Sequence, residues 1–341
     1  MIQNAIAGIL LILLLQGCGY KSTVYGTWKN DHINFDKRAE LEFLNHKLIN
    51  CIKYNDVVGV KSIMSDTLKK IAGSNIDSLV TGVSSAFLTD QYTVLDEYNV
   101  HNLATGVSNS LHANTGSDND YTIDYVAFNR EMYVSLLLVS DLTGDILVTA
   151  IYGNYDGKWE INVLQVGRYR IFNKTAIDYY KAAKGYYGKS CFIDAADNLF
   201  IANRFLKPAH EFFHFKKEKE VEEFYNKVVS ETSVKYPLPL ALENIPGKPK
   251  IFNIYPQLFE GEYFPMIRYL SSIRIDDSIQ LTRENEKVQI EVKKIFTGIG
   301  GNKKITMYEA FNKMPDDKHA ENFRWFIDRN VVSPGTFLKS E

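Results

Sequence analysis

Ile146-Leu147-Val148-Thr149-Ala150-Ile151-Tyr152 and Lys158-Trp159-Glu160-Ile161 stand on either side of Asp156-Gly157. Asp-Gly between two apolar runs is a hairpin signal, because both central positions of a tight two-residue turn take positive φ. Upstream, residues 92–103, 121–128 and 132–139 also read as strands, and 159–166 follows the turn. Tyr121, Ile123 and Tyr125 alternate with Thr122 and Asp124. Leu142-Thr143-Gly144-Asp145 marks another hairpin, and the polar stretch 112–120 reads as a loop.

Before these strands the period is helical. Asn34 or Asp36 can cap a helix running to about residue 54, with Leu41, Leu44, Leu48 and Ile52 on one face. A second follows over 57–70, with Val57, Val60, Ile63 and Met64 inward, and a third over 75–87, weakened by Gly82. Helices followed by hairpins predict an α+β fold, with helices packed on the concave side of a curved antiparallel sheet, cone-like in shape. In element order, and in the run from Ile146 through Gly157-Lys158-Trp159-x-Ile161, residues 36–172 resemble the nuclear transport factor 2-like (cystatin-fold) domains. The resemblance implies a conical pocket between helices and sheet, with Asp and His carrying the chemistry in enzymatic members. His101 and Asp124 are the candidates here; the plainer reading makes them solvated strand residues.

Residues 173–235 read as a helical hairpin. Ala183, Tyr186, Ala195, Leu199 and Ala202, with Pro208 beyond, resemble one tetratricopeptide unit, whereas a solenoid needs about three. Tyr179, Tyr180 and Tyr187 either form a docking face or pack on the sheet. Four prolines make 236–249 a linker. A small α/β lobe is expected over 250–330, with strands at 251–258 and 305–311, a helix or strand around Val288–Val292, and a terminal helix over 320–329. Residues 331–341 read as a tail.

At the N-terminus an apolar run over 5–15 ends in Gln16-Gly17-Cys18. It is too short to span a bilayer, which takes about 20 apolar residues, and it reads as an export signal over 1–17. With cysteine directly after the small residue, it resembles a bacterial lipoprotein signal. The resemblance implies lipidation (palmitate) of Cys18, a tether over 18–35 and attachment to the membrane through that lipid. Gly19 leans towards the outer membrane, facing the periplasm. Two features depart from the pattern: 1–4 has no Lys or Arg, and Gln16 stands where a small or β-branched residue is usual.

Lys and Arg total 39 against 41 for Asp and Glu among 341 residues, a balance that favours no nucleic-acid partner. Cys51 and Cys191 read as buried free thiols. His210-Glu211-x-x-His214 matches the zinc-peptidase pattern, in which two imidazoles one helical turn apart bind zinc and Glu211 activates its water. Against it, Pro208 places the motif in a helix's first turn, and Lys217 and Glu220 replace the glycine and third histidine of the extended pattern. The glycines from Gly298 to Gly301 precede Lys303 and Lys304 in helix-to-strand order, which suits a turn better than a phosphate loop. The residues therefore predict an envelope-anchored binding or scaffold protein, not an enzyme, that needs no cofactor and takes an envelope protein or small apolar ligand. The alternatives are a tethered zinc peptidase using His210, Glu211 and His214, and a pocket isomerase or dehydratase.

Overall fold

The computed structural model describes residues 24–299, 301, 303–315 and 322–329. Cys18, the export signal and the 331–341 tail lie outside them. The fold is α+β. Strand β1 (Val24–Lys29) is followed by helices α1 (Phe35–Lys53), α2 (Val57–Ser62), α3 (Asp66–Ala72) and α4 (Asn75–Ser84). Asn34 caps α1 by accepting from the Lys37 amide at 3.2 Å. Strands β2 (Thr93–Asn102), β3 (Ser108–His112), β4 (Tyr121–Val126), β5 (Glu131–Ser140), β6 (Gly144–Tyr155) and β7 (Lys158–Ile171) come next. Asp156 and Gly157 take φ of 52° and 91°, as the hairpin reading requires.

The main sheet is antiparallel, in the order β1-β2-β5-β6-β7. Residues 24–29, expected as tether, pair with β2 as its edge strand. Tyr133, Leu137, Val148, Tyr152 and Trp159 face helices α1–α4, joining Leu41, Leu48 and Ile52 in one apolar cluster. Met132, Val134, Leu136, Leu147 and Ile151 face the other way into a second cluster. Burial on both faces explains why residues 132–139 lack clean alternation: Leu136, Leu137, Leu138 and Val139 all avoid water. The space between α1–α4 and the sheet holds the fully buried Tyr133 and Tyr152, with the Tyr152 hydroxyl donating to Asn45 Oδ1 at 2.9 Å.

What covers the second face departs from expectation. Residues 173–235 form α5 (Ala176–Gly188), α6 (Phe192–Arg204), the short strand β8 (Phe213–Phe215) and α7 (Glu218–Lys235). β4 joins β3 and β8 in a separate three-stranded sheet, not the main one. Tyr179 and Tyr180 are buried in this layer, so they offer no docking face. A Cβ on Gly167 of β7 would lie 2.2 Å from the Pro208 carbonyl oxygen. Glycine is what lets these two backbones meet.

Within 236–249, Leu242 and Ile245 are buried and β9 (Leu240–Ala241) pairs with the next strand, so the proline-rich stretch is docked on the lobe. The lobe adds β10 (Lys250–Phe259), β11 (Glu262–Leu270), α8 (Ser278–Ile295), β12 (Ile305–Phe311) and β13 (Phe323–Arg329). The sheet order is β13-β12-β11-β10-β9; only β11 and β12 run parallel, joined through α8. The ambiguous stretch around Val288 is helix, burying Leu281, Val288 and Val292. The terminal helix expected over 320–329 is a strand instead: Phe323, Trp325 and Ile327 alternate along it, opposite Phe311, Glu309 and Met307.

One ion pair sets a pH limit. Burial alone would raise the Asp141 carboxyl, but the Arg168 guanidinium at 2.5 Å and the Thr143 amide outweigh it and hold it at about 2. In the unfolded chain it titrates near ~3.9. Its contribution is therefore complete above that value and is lost as pH falls through the folded value. Wild type should lose about 2 kcal/mol more than Asp141→Asn between ~pH 5 and ~pH 2, read by urea unfolding. Parallel acid slopes in the two proteins would refute this.

Candidate binding cleft

Helix α6 has two working faces. Ala195, Leu199 and Ala202 pack into the main core. Ile193, Ala196, Asp197 and Phe200, at spacings of three, one and three, lie on the other side. On α7 the cleft borders the core-facing side: Tyr225, Val229 and Thr232, with Tyr236 just beyond the helix, continue the stripe of the buried Val221 and Val228. The helix stops at Tyr236 because Pro237 and Pro239 bring no amide donor.

Between these faces and the lobe lies a cleft of about 840 Å³. Asn253, Ile254, Tyr255 and Pro256 of β10 close it, with Arg268 of β11. A concave, mostly apolar site with few polar groups at the junction of two layers is the usual form of a binding pocket.

Its lining includes a guanidinium and a carboxyl group, Arg268 and Asp197. Arg268 Nε donates to Glu309 Oε2 at 2.7 Å, and the guanidinium sits 4.8 Å from the Tyr255 ring centroid. Burial pushes the Asp197 carboxyl well above the usual carboxylate range; the charge of Asp194, one turn earlier, adds to this, and Lys303 opposes it. Burial lowers the Lys303 ammonium, with Asp194 and Asp197 pulling it back up. Lys303 thus faces the acidic side of α6 from the turn that carries Gly298 and Gly301.

The residues singled out in the sequence lie elsewhere. His210, Glu211 and Phe212 form a 3-10 turn, with φ +50° at His210, and His214 sits in β8. The expected helix start is absent, because residues 213–215 pair with β4. The motif's two histidines therefore do not share a helical face. His214 Nδ1 lies 3.0 Å from Glu218 Oε2 and Nε2 lies 3.1 Å from the Glu211 carbonyl oxygen. Among the described residues no group of three His, Cys, Asp or Glu side chains could hold a metal ion. His101, near the end of β2 between β1 and β5, contacts Glu131 at 3.1 Å, whereas Asp124 belongs to the small sheet, so the pair is not brought into one pocket. Cys51 and Cys191 are buried and free. No helix among the described residues is long and apolar enough to cross a membrane.

The cleft escaped the sequence reading because its walls come from three separated stretches. On α7, Tyr225, Val229, Thr232 and Tyr236 share one stripe with Val221 and Val228, so no sign in the sequence separates cleft wall from core. No family model, no curated protein and no solved structure matches this chain.

Proposed function

We propose that this chain is a non-enzymatic binding protein that holds an amphipathic ligand in the cleft between α6, α7 and β10, and that it works at the bacterial envelope, tethered through lipid on Cys18. The observation carrying this reading is the cleft itself: about 840 Å³ with aromatic and aliphatic walls. Arg268 is held by Glu309 and burial pushes the Asp197 carboxyl up, so neither stands as a free charge, an arrangement that positions a ligand better than it activates a nucleophile. The anchor rests on the apolar run ending at Gly17-Cys18. The element order of residues 36–172 keeps the nuclear transport factor 2-like relationship as part of this proposal, but the binding site it invokes is the cleft, because Tyr133 and Tyr152 occupy the space between helices and sheet.

Two measurements test the reading. In bacterial cells, labelled palmitate should enter wild type and not Cys18→Ala; unlabelled wild type would remove the anchor. For the cleft, water-soluble aromatic fragments should give saturation-transfer signals with the purified protein. Val229→Trp, which fills the cleft from α7, should weaken them about tenfold, or ~1.4 kcal/mol. Unchanged signals would show that the fragments sit elsewhere.

A further inference from the structure

Four consecutive residues of β10, Asn253 to Pro256, line the cleft. Side chains along a strand alternate between the two sheet faces. Ile254 joins the apolar cluster under α8, whereas Tyr255 packs against the cluster on the opposite face. A cavity touched from both faces of one strand lies along that strand's edge. The inner edge of β10 is taken by β11, so the cleft runs along the outer edge.

That edge is open. β9 covers it only at Lys250 and Ile251. Beyond them, among the described residues, no backbone group bonds to the outer edge of residues 253–258. The register shows which groups face outward. Pro256 lies opposite Pro265, and two prolines cannot exchange amide bonds, so this is a non-hydrogen-bonded pair. By alternation Ile254 and Leu258 are also non-bonded pairs with β11. The N–H and C=O of Ile254 and Leu258, and the C=O of Pro256, therefore point out of the sheet at its open side. Phe259 opposite Glu262 closes the Glu260-Gly261 turn, with φ of 47° and 80°, as a bonded pair, which gives the same phase.

The helical wall opposite supplies a carboxyl group. Asp194 and Asp197 are one turn apart on α6, and both act on Lys303. Of the two, Asp197 lines the cleft, where a ligand cation would favour its ionised form. Phe200, Tyr225 and Tyr236 line it as well, and aromatic faces attract cations.

Resting on the binding-protein reading, we infer that the ligand is an extended peptide segment that adds as a strand to the outer edge of β10 and sets a Lys or Arg side chain against Asp197 within the aromatic wall. The main chain gives affinity through Ile254, the Pro256 carbonyl and the Leu258 amide, the Leu258 carbonyl already accepting from Gln257 Nε2 at 3.1 Å, and the basic side chain gives selectivity. Pro256 costs the incoming strand one bond. It also blunts the edge against uncontrolled sheet pairing, a common use of proline on exposed strands.

The test is selection of a random octapeptide phage library on the purified full-chain protein, with affinities of selected peptides then measured by fluorescence anisotropy. The expected peptides are rich in β-branched residues and carry a Lys or Arg. Asp197→Asn, nearly isosteric and checked for fold by circular dichroism, should weaken them about tenfold, or ~1.4 kcal/mol. N-methylation of one alternate set of peptide amides should abolish binding, while methylation of the other set leaves it, because only one set faces β10. Selected peptides without a basic residue, equal affinity for Asp197→Asn, or indifference to both methylation series would overturn the inference. An empty selection while aromatic fragments still enter the cleft would overturn strand addition and leave the binding-protein reading standing. Failure of peptides and fragments together would remove both.

Discussion

Trp159→Ala lowers the unfolding free energy by about 3–5 kcal/mol, the range for truncating a buried aromatic residue. Trp159 is 4% exposed and meets Tyr133 edge-on, with ring centroids 6.3 Å apart. Its indole N–H donates to Glu40 Oε2 at 3.2 Å, which ties α1 to the start of β7. Alanine there opens a cavity between helix layer and sheet and removes this bond. Neighbours such as Ile161 and Tyr152, held in a paired sheet, relax only partly into the gap. Trp159→Phe keeps the ring packing and should recover more than half of the loss. Urea unfolding followed by circular dichroism measures both. Fragment binding at the cleft should survive in folded Trp159→Ala, since Trp159 is not among its walls. A loss below about 1 kcal/mol would mean that the helix layer contributes little to holding the sheet.

Asp96→Ala is expected to cost about 3 kcal/mol, near the lower end for breaking a buried charged network, because Lys29 keeps partial access to water. Asp96 joins three parts of the fold. Lys29 Nζ lies 3.0 Å from Oδ2, Asn30 Nδ2 donates to Oδ1 at 2.8 Å, and the Tyr121 hydroxyl donates to Oδ2 from β4. Tyr98 contributes a longer bond at 3.4 Å. Burial, reinforced by neighbouring Tyr98 and Asp96, pushes the Tyr121 hydroxyl far up, so it remains a donor through the accessible pH range. Removing the carboxylate strands these donors together. Asp96→Asn restores an acceptor but not the countercharge to Lys29, and should recover about half. Hydrogen exchange should rise first over 24–30, where β1 loses its anchor to β2 and the small sheet. Unchanged exchange there would show that backbone pairing alone holds the edge.

The difference between what the chain announced and what it concealed follows the range of the interactions involved. Local chemistry was legible. Asn34 caps α1 through its own side chain, and Asp156-Gly157 turns because of its own φ angles. The α+β class followed from the change of period near residue 92. Long-range pairing was not legible. β8 has only three residues, too few for alternation to register within a helical stretch, yet it draws β4 away from the main sheet. That same pairing turns His210-Glu211-x-x-His214 from a helical motif into a turn and strand. β11 buries Phe264, Pro265, Met266 and Ile267 in succession and so shows no alternation, and its proline is harmless opposite Pro256, where no amide bond is required. The cleft depends on three such long-range placements at once.

Helix α6 carries a final consequence. Its Ala195, Leu199 and Ala202 belong to one apolar cluster and its Ile193 to another, the one under α8. A party wall of this kind cannot be assigned to either neighbour. Excising the C-terminal part at the prolines would leave an oily stripe of α6 naked, and trimming from the other end would tear away that part's lining. Inheritance, shuffling and genetic dissection should therefore treat the two halves as a single indivisible property.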